Sequence, residues 1–268
     1  MVDNRQSCKG ESLALFDSHA HYDDARFEDD RYEALQRAYD SGVKYILNAA
    51  SDVESAKESI SLARKFDFVY AAVGIHPHNV ENINDGTLSM LLDFASDHKV
   101  VAIGEIGLDY YYDNSPRELQ RYWFSRQINL AKELKLPIIV HNRESHEDIM
   151  EIIKREGARE VGGVFHCYSG SVEMARELLD NEFYISVGGT VTFKNAKRIV
   201  DVVKYVPLDR LLIETDCPYL TPEPYRGKRN ESLYVRFVAE RIAEIKGICF
   251  EEVAGNTTEN AKRLFRIG

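Results

Sequence analysis

The 268-residue chain has no apolar run approaching the ~18–20 residues that a membrane-spanning helix needs. Cysteine is scarce. Cys8, Cys167, Cys217 and Cys249 are scattered, and no two form a Cys-x-x-Cys pair, which excludes a zinc-finger framework. The first twelve residues, MVDNRQSCKGES, are polar and lack the apolar core of a secretory signal. They read as a flexible lead-in over 1–12, ahead of a single domain over 13–268. A reducing cytoplasm with free thiols is the expected setting. Positive charge is in deficit: 34 Lys and Arg stand against 44 Asp and Glu, a net charge of −10. Such a chain is ill suited to gripping duplex DNA along its length, which takes many cationic phosphate contacts. A local cationic site is compatible with it.

With 44% hydrophobic and 29% charged residues, the composition is that of an ordinary globular protein. Short apolar segments recur at 13–17, 44–50, 69–75, 100–105, 137–141, 162–166, 184–188 and 211–216. They alternate little between apolar and polar, as strands buried on both faces do. Helix signals lie between them. Ser51-Asp52-Val53-Glu54 has the pattern of a capping box. Ser115-Pro116-Arg117-Glu118 puts Pro where the first helical turn begins. Gly42 marks a helix stop. Strand and helix repeated eight times predict an α/β fold, a (β/α)8 TIM barrel of one domain. Two tail segments, 231–247 and 250–265, supply the last helix and a covering one. A doubly wound open sheet is the alternative, but it normally carries a Gly-rich loop after its first strand. Here His19-Ala20-His21 stands in that place.

Barrel enzymes carry their chemistry at the C-terminal ends of strands. His19, His21, Glu105, His141, His166 and Asp216 all fall at such ends. Any one of them alone is more often a cap or core residue than a ligand. Six on five strands, from a chain with eight histidines, point to metal. Residues two apart on a strand face the same way, so His19 and His21 can grip one ion together. His19, His21 and Asp216 then hold one cation, His141 and His166 another, and Glu105 bridges them. Imidazole with carboxylate suits Zn, Mn or Co, and Mg less well. By the same parity Asp17 and Glu214 face inward and buttress the ligating imidazoles, unless a bulge turns them out of the barrel. Cys167 and Cys217 are expected to point toward the helices as small apolar residues. His98 and His146 are expected at the surface.

At this point the chain resembles the TatD family of metal-dependent deoxyribonucleases, among the amidohydrolase-like barrels. The resemblance covers about 15–265. It rests on Asp17-Ser18-His19-Ala20-His21, Gly74-Ile75-His76-Pro77-His78, Gly104-Glu105-Ile106-Gly107-Leu108-Asp109-Tyr110, Pro137 to Arg143, Phe165-His166-Cys167-Tyr168-Ser169-Gly170, Glu214-Thr215-Asp216-Cys217-Pro218-Tyr219-Leu220, Arg226 to Asn230, and Asn260 to Phe265. Together these motifs are specific. Two departures stand out: Tyr22 where the family usually has Leu, and Ser232 where Pro is common.

The resemblance implies a (β/α)8 fold, two divalent metal ions and hydrolysis of nucleic-acid phosphodiesters, often from the 3′ end. It gives the six residues named above the ligand roles. Single-stranded DNA or frayed ends are the implied substrate, and no obligate protein partner or membrane is indicated. In the expected mechanism a bridging hydroxide attacks phosphorus while Asp216 takes its proton, with Glu105 between the ions. His76 is expected on a phosphate or leaving oxygen, and His78 as a loop stabiliser. Arg143 either meets a phosphate or pairs with Glu144 or Asp109. Arg226, Lys228 and Arg229, on the loop after strand 8, are expected to contact substrate. Tyr110, Tyr111, Tyr112 and Phe193 are candidates for stacking on a base. Alternatives are a metal-dependent ester or amide hydrolase, such as an aminoacyl-tRNA deacylase or lactonase, and a metal-bearing scaffold without activity.

Overall fold

A computed structural model describes residues 14–268; the expected lead-in over 1–12, with Cys8, lies outside them. The strands are β1 (Leu15–Ala20), β2 (Val43–Ala49), β3 (Val69–Val73), β4 (Val100–Asp109), β5 (Ile138–Arg143), β6 (Gly163–Phe165), β7 (Phe183–Val187) and β8 (Leu211–Ile213). They form one sheet in sequence order, every neighbouring pair parallel. The helices are α1 (Arg31–Asp40), α2 (Val53–Lys65), α3 (Asp85–Phe94), α4 (Arg117–Leu134), α5 (His146–Arg155), α6 (Val172–Asp180), α7 (Lys197–Tyr205), α8 (Val235–Lys246) and α9 (Phe250–Phe265). This is the TIM barrel expected from the sequence. Among the described residues no helix is long and apolar enough to cross a membrane.

Two apolar layers hold the barrel together. The inner one takes Phe16, Leu47, Ala72, Ala102, Ile139, Val164, Tyr184 and Leu212, one residue from each strand. Phe265 of α9 joins this layer from below, its ring 6.0 Å from that of Phe16. The larger layer fills the space between strands and helices. Burying both faces of each strand explains the near-continuous apolar segments.

The seam between β1 and β8 closes in an unusual way. Past the end of β8, Asp216 N–H donates to His19 O at 2.9 Å and His21 N–H to Cys217 O at 2.8 Å. A side chain completes the join: Asp17 accepts from Thr215 N–H at 2.8 Å and from its Oγ1 at 2.6 Å. Phe16 occupies the inner layer, so its neighbour Asp17 cannot share that face. A register shift between Asp17 and Ala20 brings His19 back to the mouth. The expectation that Asp17 buttresses an imidazole is therefore corrected. The bulge alternative holds, and the carboxylate ties two strands together.

Element ends differ from the sequence reading where tertiary pairing decides them. β4 runs on past Glu105 to Asp109 because Gly107, Leu108 and Asp109 pair with His141, Asn142 and Arg143. β8 ends at Ile213, three residues before Asp216. At α2 the cap is Asp52 rather than Ser51, its carboxylate accepting from Ser55 N–H at 2.9 Å. Pro116 sits at the N-cap of α4, one position before the helix. Gly42 follows α1 with φ of 100°, a conformation that glycine adopts without penalty.

Candidate metal centre

The inner apolar layer sets the site's geometry. His141 stands two residues above Ile139, His166 two above Val164 and Glu214 two above Leu212, so each faces the same interior one layer higher. Gly107 lets β4 pass close to His141, since a Cβ there would collide with the His141 carbonyl oxygen. The six residues expected at one rim do converge. Glu105, 3% exposed, lies at the centre and divides its two oxygens. Oε1 is 2.7 Å from His141 Nδ1 and 2.7 Å from His166 Nε2. Oε2 is 3.3 Å from His19 Nε2 and 3.7 Å from His21 Nε2. Asp216 Oδ1 closes the second group, 3.4 Å from His21 Nε2 and 3.9 Å from His19 Nε2.

Hydrogen bonds from outside fix which ring nitrogens face the centre. His21 Nδ1 donates to Ala49 O at 2.8 Å, leaving Nε2 for the site. His141 Nε2 donates to Asp109 Oδ2 at 3.1 Å, leaving Nδ1. Ligating histidines are commonly held in this way. His76 differs. Its Nδ1 accepts from His78 N–H at 3.1 Å, so in the neutral ring Nε2 carries the proton and points it at Glu105 Oε1, 3.4 Å away. Burial pushes His76 down to about 4, which keeps it neutral.

Charge in the cluster is strongly coupled. Burial would raise the Glu105 carboxyl, but the imidazoles of His166, His76 and His141 together hold it well below the usual range. Burial opposes protonation of His21, yet Asp216 and Glu105 outweigh it and push the ring up to about 10. Burial and the neighbouring His166 push His19 down to about 4. Burial raises Glu214 to about 7. Beneath the site three buried polar atoms have no hydrogen-bond partner among the described residues: His19 Nδ1, His166 Nδ1 and Glu214 Oε2. Glu214 Oε1 accepts from Cys167 N–H at 2.5 Å and lies 3.8 Å from His166 Nδ1. It faces the imidazole from behind without bonding to it directly.

The His, Glu and Asp donors of the cluster could hold metal. Nitrogen and carboxylate atoms meet in overlapping groups: His19 with His21 and Asp216, His76 with Glu105 and His141, and His19 with His166 and Glu214, while His141 and His166 share Glu105 Oε1. In the absence of cations, only shared protons offset the close approach of so many buried ionisable groups. The cluster opens into a divided cleft. One lobe, about 800 Å³, runs toward β6 and β7; the other, about 730 Å³, runs toward β1 and β3. Both reach His141, Arg143, His166 and Asp216.

A family profile described as TatD related DNase matches residues 16–266. The chain belongs to the TatD family. It is 51% identical over 253 residues to the uncharacterized metal-dependent hydrolase YabD of Bacillus subtilis, covering 94% of this chain and 99% of that one. It is 42% identical over 258 residues to YcfH of Escherichia coli K12, also an uncharacterized metal-dependent hydrolase, covering 95% and 97%. The crystal structure of the TatD homologue YJJV from Escherichia coli K12 superposes with a TM-score of 0.90 at 33% identity, covering 96% and 100%. This TatD-family protein is a metal-dependent hydrolase.

The remaining expected site residues separate clearly. Arg143 pairs with neither Glu144 nor Asp109; its guanidinium lies over the Tyr111 ring at 4.6 Å and lines both lobes. Arg226 stacks on Phe193 at 4.2 Å, at the edge of the larger lobe. Lys228 turns back over Tyr225 and lines neither lobe. Arg229 is a correction. It is bound to Asp30 at 2.6 and 2.8 Å and to Glu231 at 2.8 Å, so its charge is spent on the wall. Tyr110 is tied to Asp148 at 2.5 Å, while Tyr111 and Tyr112 are exposed. Cys217 is buried in the outer layer as expected, but Cys167 lines the larger lobe. His98 and His146 lie outside the cluster, beside Asp97 and Glu177. Sequence reasoning missed Asp109, which binds both His78 and His141. The signal was available, since Asp109 lies four residues past Glu105 on the same strand and shares its face. It also missed Lys197 and Arg198, the first two residues of α7.

Proposed function

We propose that this TatD-family protein hydrolyses phosphodiester bonds of DNA, acting from the 3′ end of single strands or frayed termini. The observation that carries the reading is the division of Glu105. One carboxylate facing two imidazole groups suits a pair of Zn, Mn, Co or Mg ions. His19, His21 and Asp216 would hold one, His141 and His166 the other, with Glu105 shared. Such a pair supplies Lewis acidity, lowering the pKa of a water and shielding phosphoryl charge.

The chain's own groups do the rest. Asp216 takes the proton from the attacking water. Burial alone would raise its carboxyl, but His21, His19 and His166 hold it below the usual range, so it is ionised and ready to accept. His76 donates a hydrogen bond from its Nε2–H to a phosphate or leaving oxygen. Arg143, which has no acidic partner among the described residues, takes a phosphoryl oxygen. The net charge of −10 with cations gathered at the mouth favours an end or a single strand over a long duplex.

The test uses metal-stripped protein reloaded with Mn, Zn, Co or Mg. It is given end-labelled single-stranded DNA, a bis-nitrophenyl phosphodiester, a carboxylic ester and an aminoacyl-tRNA. Cleavage of the diesters, with mononucleotides released from the 3′ end, is expected. Ester cleavage without diester cleavage would replace this reading with a deacylase or lactonase.

A further inference from the structure

The two lobes of the cleft differ in charge. The larger one carries Arg143, Lys197 and Arg198. None of these forms an ion pair among the described residues. Arg143 lies over Tyr111, Arg198 reaches only Ser169 O at 3.5 Å, and Lys197 has no partner. Elsewhere on this acidic chain, arginines are largely taken up by carboxylates: Arg26 by Asp24, Arg37 by Asp30 and Glu231, Arg126 by Asp85. The one acid in the lobe's lining beyond the metal cluster, Asp201, lies 3.9 Å from Lys204.

The smaller lobe is the opposite. Its wall holds Asp23 and Asp24, and Arg143 is its only Lys or Arg. Asp24 is neutralised by Arg26. Asp23 is bonded by the neutral groups of Asn48 and Ser55 rather than by a Lys or Arg. A polyanion crossing the metal cluster therefore meets more positive charge in the larger lobe, where Lys197 and Arg198 add to Arg143.

We propose that the lobe between β5 and α7 is a subsite for a second phosphate of the substrate, the one next to the bond being cut, held by Lys197 and Arg198. This rests on the phosphodiesterase reading above and adds a substrate length and direction to it. Phosphate sites in barrels often form above the seventh and eighth strands, and Lys197 and Arg198 open α7, the helix that follows β7. Phe193, beneath Arg226, gives the same lobe an apolar wall for the adjoining nucleoside.

The experiment compares d(TpT), which has only the bond to be cut, with d(TpTpT), which adds one phosphate. Manganese-loaded wild type should prefer the longer substrate. The K197A/R198A variant should lose about tenfold more kcat/KM on d(TpTpT) than on d(TpT). The salt dependence of its KM for d(TpTpT) should also be shallower. K197E, a single change on an exposed side chain, should move the ratio in the same direction. Equal losses on both substrates, or no loss on either, would overturn the subsite and leave phosphodiester hydrolysis standing. Failure of the wild type to cut either diester would overturn that reading and the subsite with it.

Discussion

The hydroxyl of Tyr22 accepts a hydrogen bond from the backbone N–H of Ser232 at 3.0 Å, and both residues are fully buried. Leu and Pro are the residues that the resemblance leads one to expect at these two positions. Leu has no acceptor and Pro has no N–H, so the two departures form one matched pair. Tyr22→Phe strands a buried donor and should cost about 1–3 kcal/mol in urea unfolding. Tyr22→Leu combined with Ser232→Pro should cost less than the sum of the single changes, by about 0.5–3 kcal/mol. Additive losses would show that the contact carries no energy.

Glu105 gives the sharpest test of the metal arrangement. Glu105→Gln keeps the shape and removes the charge that faces both imidazole groups. Bound metal measured by elemental analysis should fall from two ions per chain toward one, and turnover should drop by at least about 100-fold. Two tightly bound ions in the variant would remove Glu105 as the bridge.

Asp216→Asn should leave thermal unfolding nearly intact while turnover falls by about 10²–10⁴. The backbone bond from its N–H to His19 O does not depend on the side chain. Activity within a few fold of wild type would take the proton-accepting role away from this residue.

Asp109→Ala frees His141 Nε2 and His78 Nε2 together. Metal affinity, read by calorimetric titration, should weaken about 10–100-fold. An unchanged affinity would mean that the ring of His141 is held by packing alone.

Asp17 supplies a pH signature. Burial, only partly offset by hydrogen bonds from Thr215, raises its carboxyl from 3.8 to about 6. Between those values the folded chain keeps a proton that the unfolded chain has released. Stability due to this group should fall as pH rises from about 4 to about 6 and stay level above, by at most about 3 kcal/mol. Asp17→Asn, compared with wild type in chelator by thermal unfolding across that range, should lack this slope. Parallel curves would refute the shift.

Much of the fold is legible in the sequence because strands buried on both faces leave unbroken apolar segments. Strand ends are not, since hydrogen bonds to a neighbour decide them, as Gly107 to Asp109 show against β5. The convergence of His19, His21, Glu105, His141, His166 and Asp216 follows from strand order, so residue type and position suffice to find it. Asp17 was misplaced because a shift in register leaves no mark in composition. Arg229 looked like a substrate contact by type and loop, but its partner Asp30 lies far off in sequence and close only after folding.

Phe265 closes the barrel from below against Phe16, and the interior above it is filled by one side chain from every strand. The reaction centre thus has a floor. A strand of nucleic acid cannot be threaded through this molecule; on the proposed reading its end would enter from above and the released unit would leave by the same mouth.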